Sequence, residues 1–221
     1  MPSTRSAEVP ATRFAGWVDR FGAGHGGSSC LLASGGEHRP RAVLQAADGA
    51  SAELDAPFEP PSGWPDLEAL LTHVAAVGAS QPYVLLLVRR GGWAVARCAG
   101  ERVLASRVRT RYVQGRTKKG GSSQQRYARR RGNQADAVVA AAVAAAVEVW
   151  GAAPHRAGWT VLTGGDRLLL GEAVELLLRR APLRVAARHL DVPDPRRGVL
   201  DTAARSACAV RVRVTDPGTA H

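Results

Sequence analysis

Six consecutive residues, Gly120-Gly121-Ser122-Ser123-Gln124-Gln125, have the types and spacing to do chemistry without a metal. Glycine tolerates positive φ and lets a backbone approach a ligand closely. Glutamine offers a carbonyl acceptor and an amide donor on a neutral arm. Such a side chain is no strong base at neutral pH. It can orient a water beside an ester that is already activated, while neighbouring backbone N–H groups stabilise the oxyanion. The same six residues also satisfy a plainer reading, a Gly-Ser connector in which Gln124 and Gln125 only open a helix. Both readings stay open on pattern alone.

The surroundings of this tip are cationic. From Arg107 to Arg131 the chain carries ten basic residues and no acid: Arg107, Arg109, Arg111, Arg116, Lys118, Lys119, Arg126, Arg129, Arg130 and Arg131. The formal net charge of the 221-residue chain is +11, so this stretch accounts for nearly all of it and the remainder almost cancels. Charge focused in one place steers a protein towards a polyanion, and nucleic acid fits an internal run better than a solvated face or a terminal arm does. An anionic membrane is a weaker partner, because the run lacks an apolar face. The ester of peptidyl-tRNA is an activated acyl bond embedded in RNA, and it suits a glutamine delivered by such a stem. Ten like charges and a Gly-Ser tip are expected to be poorly ordered without RNA from about Gln114 to Gln125.

Other chemistries find less support. Two-metal phosphoryl transfer needs several carboxylates on ions about 4 Å apart. The first central strand expected, Tyr83 to Val88, holds no acid, and Asp136 and Glu148 stand twelve residues apart on one helix, roughly 18 Å along its axis. His25, His38, His73, His155, His189 and His221 show no metal-ligand spacing. Ser122 and Ser123 lack a nucleophile elbow, and Gly120 and Gly121 form neither a Walker loop nor a dinucleotide fingerprint. The three cysteines, Cys30, Cys98 and Cys208, are scattered without a CxxC and fit a reducing compartment. The abundance of Arg over Lys, with high Ala, suggests a GC-rich bacterial genome. The first residues, MPSTRSAEVPATR, have no apolar core and do not read as a signal peptide. Gln134 to Trp150 is rich in Ala and Val, but it is short for a span and contains two acids, so it reads as a buried helix.

The elements that must position the tip follow from periodicity. Met1 to about Arg13 is expected to fray. Phe14, Trp17, Val18 and Phe21 mark a short amphipathic helix, stopped by the glycines after it. Ala42 to Leu54 reads as a hairpin around Asp48-Gly49. Pro57 to Pro65 reads as a stiff connector, so residues 1–62 are expected to form a small, mainly β accessory unit and residues 63–221 a second domain. Asp66 caps a helix. Tyr83 to Val88, Trp93 to Cys98 and Arg102 to Tyr112 form an antiparallel meander that runs into the basic stretch. Gln125 to Arg131 could begin a helix, and the main Ala-Val helix starts at Asn133 or Gln134. Strands near Trp159, Leu183 and Cys208 alternate with helices after Asp166 and Pro195. This order predicts an α/β (α+β) protein with a ribonuclease-H-like mixed sheet flanked by helices.

The run Arg116-Thr-Lys118-Lys119-Gly120-Gly121-Ser122-Ser123-Gln124-Gln125 resembles the loop of the Vms-like release factors of ribosome-associated quality control. That family is related to the middle domain of the eukaryotic peptide-chain release factor. Its signature is a basic Arg-x-Lys run leading into Gly-x-x-Gln, which Gly121-Ser122-Ser123-Gln124 matches. The resemblance covers about residues 80–221, with the specific loop at about 113–125. It implies a ribonuclease-H-like domain that hydrolyses peptidyl-tRNA on the large ribosomal subunit in the cytoplasm, with no metal or organic cofactor. Gln124 would position the water, and Gly120, Gly121, Ser122 and Ser123 would shape the tip. Arg109, Arg111, Arg116, Lys118, Lys119, Arg126, Arg129, Arg130 and Arg131 would hold rRNA and the tRNA acceptor end. The spacing from Arg116 is one residue longer than in the eukaryotic members, which keeps Gln125 as an alternative catalytic residue. A zinc finger, ankyrin repeats and an ATPase-binding segment, present in those members, are not visible here. A monomer is expected. The competing reading is a non-catalytic rRNA/tRNA- or ribosome-binding module, which needs the same cations and makes no demand on Gln124.

Overall fold

The computed structural model describes residues 3–33, 41–58, 60, 63–110, 123–156 and 159–217, with side chains left out at 33, 41 and 123–133. Two compact units emerge, Met1–Gln81 with Arg205–His221, and Pro82–Ala204. The mixed α and β content, with two five-stranded sheets, agrees with the α+β class expected.

The first unit is built on a sheet in the order β1 (Ser3–Val9), β10 (Val210–Asp216), β4 (Ser51–Asp55), β3 (Arg41–Ala46), β2 (Ser28–Ala33). All four pairings are antiparallel. Helices α1 (Ala11–Gly24) and α2 (Leu67–Ser80) share its apolar core, with Phe14, Val18 and Phe21 from one and Leu70 and Val74 from the other. The α2 start is fixed as its sequence predicts: the Asp66 carboxylate accepts from the Ala69 N–H at 2.7 Å. The Asp48-Gly49 hairpin also forms, with Gly49 at φ 89°.

Two expectations need correction here. Ser3–Val9 does not fray but is a strand, because β10 supplies seven residues of antiparallel ladder for it. The last strand, expected in the mixed sheet, pairs instead between β1 and β4, where Val210, Val212 and Val214 enter the first core. Helix α2 packs its Leu70 and Val74 with α1 and the first sheet, so it stays with the N-terminal residues.

The second unit carries the sheet β7 (Arg102–Thr110), β6 (Gly92–Ala99), β5 (Pro82–Arg89), β8 (Val161–Gly165), β9 (Val185–Leu190) in that order. The pairs β5–β6 and β6–β7 are antiparallel, while β5–β8 and β8–β9 are parallel. Only β6 therefore runs against the others. A three-stranded meander followed by alternating helices and strands is the ribonuclease-H-like layout. Strand β5 is central and buried from Tyr83 to Val88, as a continuous apolar run requires.

One face of this sheet, Val84, Leu86, Val88, Trp93 and Val95, packs against α3 (Ser123–Trp150) and α4 (Arg167–Leu178). On β5 the alternate residue Tyr83 reaches the opposite way, with its hydroxyl 3.0 Å from the carbonyls of Gly100 and Ala204, the latter on α5 (Arg197–Cys208). Asp166 caps α4, accepting from Leu168 and Leu169 N–H groups at 3.0 and 3.3 Å. A short 3-10 turn, Ala153–His155, follows α3.

Candidate nucleic-acid interface

Strand directions decide at which edge of the sheet β7 ends. Because β7 runs with β5, β8 and β9, its last residue, Thr110, lies at the edge formed by their C-terminal ends. In open α/β sheets, that edge is where ligands bind. After Thr110 the chain is next described at Ser123, the start of α3.

Helix α3 is 28 residues long and continuous from Ser123 to Trp150. The two helical pieces expected from sequence, Gln125 to Arg131 and the Ala-Val helix, are one element. Among the α3 residues whose side chains are described, 134–150, the buried ones include Val138, Val139, Ala142, Val143, Ala145, Ala146 and Trp150, at helical spacing. Small side chains let this stretch lie close against β5 and β6. Gln134, Asp136 and Ala137 are exposed. Ser123 and Val138 are separated by roughly 22 Å of helix axis, at 1.5 Å per residue.

The residues singled out by sequence fall into three groups. Arg109 is on β7, exposed, and paired across the ladder with Trp93. Arg111, Arg116, Lys118, Lys119, Gly120, Gly121 and Ser122 lie outside the described residues, as does Gln114 to Ser122 of the segment expected to be poorly ordered. Ser123, Gln124 and Gln125 fall in the first turn of α3, and Arg126, Arg129, Arg130 and Arg131 follow on the same helix. The first turn of α3 contains no acid. Cations near a helix N-terminus oppose the macrodipole, so this end of α3 has an electrostatic reason to take an anionic partner.

Arg107 belongs to the basic stretch but has a protein partner. Both of its terminal nitrogens donate to the carboxylate of Glu148 on α3, the Nη2 to Oε1 bond at 2.7 Å. The pair ties the strand that enters the arm to the helix that returns from it. Asp136, the other acid of α3, is exposed. Among the described residues, no three His, Cys, Asp or Glu side chains gather as a metal site would, and no helix is long and apolar enough to cross a membrane.

The base of the arm is crowded with glycine. Gly92, at φ 151°, faces the carbonyl of Arg109, and a Cβ there would lie 2.2 Å from that oxygen. The segment after β9 crosses the same edge. Arg89 donates Nε to the Val192 carbonyl and Nη2 to Asp191 at 3.1 Å. Asp194 sits over Gly91, where a Cβ would meet its carboxylate at 2.5 Å. Arg197 then reaches Ser106 of β7 at 2.6 Å. Residues 191–197 thus form a strap from β9 past β5 and the β5–β6 turn to β7. Sequence reading missed this strap, because nothing local links Asp194 to Gly91 or Arg197 to Ser106.

Fold and site together define an α+β protein of ribonuclease-H-like layout, whose basic stretch connects β7, ending at the C-terminal edge of the sheet, to α3. A family model described as acVLRF1, Actinobacteria/chloroflexi VLRF1 release factor, matches residues 81–213, more than half of the chain. The chain belongs to this release factor family, in agreement with the Vms-like resemblance of the arm, and its role in translation is release-factor-like. No curated protein matches the chain.

Proposed function

We propose that this protein hydrolyses peptidyl-tRNA and frees nascent chains on the large ribosomal subunit in ribosome-associated quality control. The observation that carries the reading is the Gly121-Ser122-Ser123-Gln124 signature inside a cationic arm, in a chain of the release factor family. Gln124 positions water on the ester carbonyl, and Gly120, Gly121, Ser122 and Ser123 let the tip approach it closely. Arg109, Arg111, Arg116, Lys118, Lys119, Arg126, Arg129, Arg130 and Arg131 hold rRNA and tRNA phosphates. The substrate is peptidyl-tRNA on an obstructed large subunit, the compartment is the cytoplasm, and the protein works as a monomer without a metal or organic cofactor. As further proposals, residues 63–221 act as the catalytic domain and residues 1–62 as an accessory unit.

One observation favours a second reading. Ser123, Gln124 and Gln125 are helical, as a connector that merely opens α3 requires. In that case the protein binds rRNA, tRNA or the ribosome without cleaving an ester. A release assay with the Gln124→Ala variant separates the two. The hydrolase loses turnover and keeps its affinity for the large subunit, whereas the binding module has no turnover to lose. Gln125→Ala, assayed beside it, identifies which glutamine carries the chemistry.

A further inference from the structure

We propose that the arm does not bind RNA alone: Arg90, Arg167 and Arg196, with Arg109, form a collar at its root that grips a second stretch of RNA phosphate backbone. The inference uses the reading that the arm meets RNA. It is independent of any role for Gln124.

These arginines come from different places in the sequence, and the topology brings them to one edge. Arg90 is in the β5–β6 turn, directly after Arg89. Arg167 opens α4, two residues beyond Gly165, which pairs with Val88 near the end of β5. The Asp166 N–H donates to the Val88 carbonyl at 2.8 Å, which holds the start of α4 against that strand end. Arg196 is on the strap, between Asp194 at Gly91 and Arg197 at Ser106. Arg109 is on β7 next to Thr110, where the arm departs. All four are exposed, and among the described residues none has a carboxylate within ion-pair distance.

The carboxylates of this edge are mostly engaged. Asp191 pairs with Arg89, Asp201 with Arg197, and Asp166 caps α4. Asp194, exposed over Gly91, is the acid that opposes the collar from within. Guanidinium groups spread over an edge in this way suit phosphates spaced along a backbone, because each contact needs only a forked donor and no fixed base. The net charge of the chain hides the collar, since exposed acids elsewhere balance these residues in the sum.

The test is a titration of full-length protein with purified large ribosomal subunits at several salt concentrations. Arg90→Gln/Arg167→Gln/Arg196→Gln is expected to bind at least tenfold more weakly, and the slope of log affinity against log salt to shrink by about two to three. Asp194→Asn is expected to bind a few-fold more tightly. A control removes the same charge from the far edge of the sheet with Arg156→Gln/Arg180→Gln/Arg184→Gln, and its affinity should stay near wild type. These side chains are all exposed, so thermal melts should overlap. The collar is overturned if the first triple variant binds with wild-type affinity and slope, or if the control weakens binding equally. A Gln124→Ala protein that still releases peptide would sink the hydrolase reading and leave this titration to judge the collar.

Discussion

Arg107 and Glu148 face each other as a two-pronged ion pair, guanidinium to carboxylate, across the junction of β7 and α3. The pair fastens β7 to the C-terminal part of α3. It also removes one cation of the basic stretch from the set free to meet RNA. Both side chains are more than half exposed, so water screens them and the contribution is modest. Glu148→Gln is expected to cost about 0.5–1 kcal/mol of stability. A double-mutant cycle with Arg107→Gln, read by urea denaturation, should return most of that as coupling energy. Additive single effects would show that the pair contributes nothing.

Asp48 gives the first unit a defined acid response. The Ala50 N–H donates to its carboxylate at 2.9 Å, and His25 Nδ1 lies 2.8 Å from the other oxygen. The Ala50 bond and then His25 hold its pKa below the ordinary 3.8. For a lowered carboxylate, the stabilisation is complete above the unfolded pKa and is lost as pH falls through the folded one. Wild type should therefore exceed Asp48→Asn in thermal stability at pH 6, and the gap should close as pH drops below about 4. A gap that stays constant down to pH 2 would contradict the assignment.

Two glycines should respond to alanine with opposite signs. Gly92 is at φ 151°, and its added Cβ would collide with the Arg109 carbonyl. Gly92→Ala is expected to cost roughly 1–3 kcal/mol and to disturb the root of the arm. Gly171 lies inside α4, and its Cβ would meet nothing within 4 Å. Gly171→Ala should gain about 0.5–1 kcal/mol, from helix propensity alone. Denaturant midpoints of the two variants check both signs.

Local signals made the meander, the capped helices and the Asp48-Gly49 hairpin legible, because each depends on a few adjacent residues. Tyr83 to Val88 announces a central strand by its unbroken apolar run, and Asp66 and Asp166 announce helix starts by one side chain each. Strand partners are another matter. Ser3–Val9 carries little apolar patterning, and only β10, some two hundred residues away, makes it a strand. The same β10 looks like a closing strand for the nearest sheet until its valines are seen in the first core. The arm's cations were readable as a run. Arg90, Arg167 and Arg196 were not, since only strand direction and the strap bring them together.

Ester hydrolysis by this protein depends on the amide of Gln124. The direct measurement is a single-turnover release assay on large subunits carrying peptidyl-tRNA, comparing wild type with Gln124→Ala at saturating protein. The variant's release rate is expected to fall about 10²-fold or more, with binding to the subunit retained. Release at the wild-type rate by the variant would contradict it.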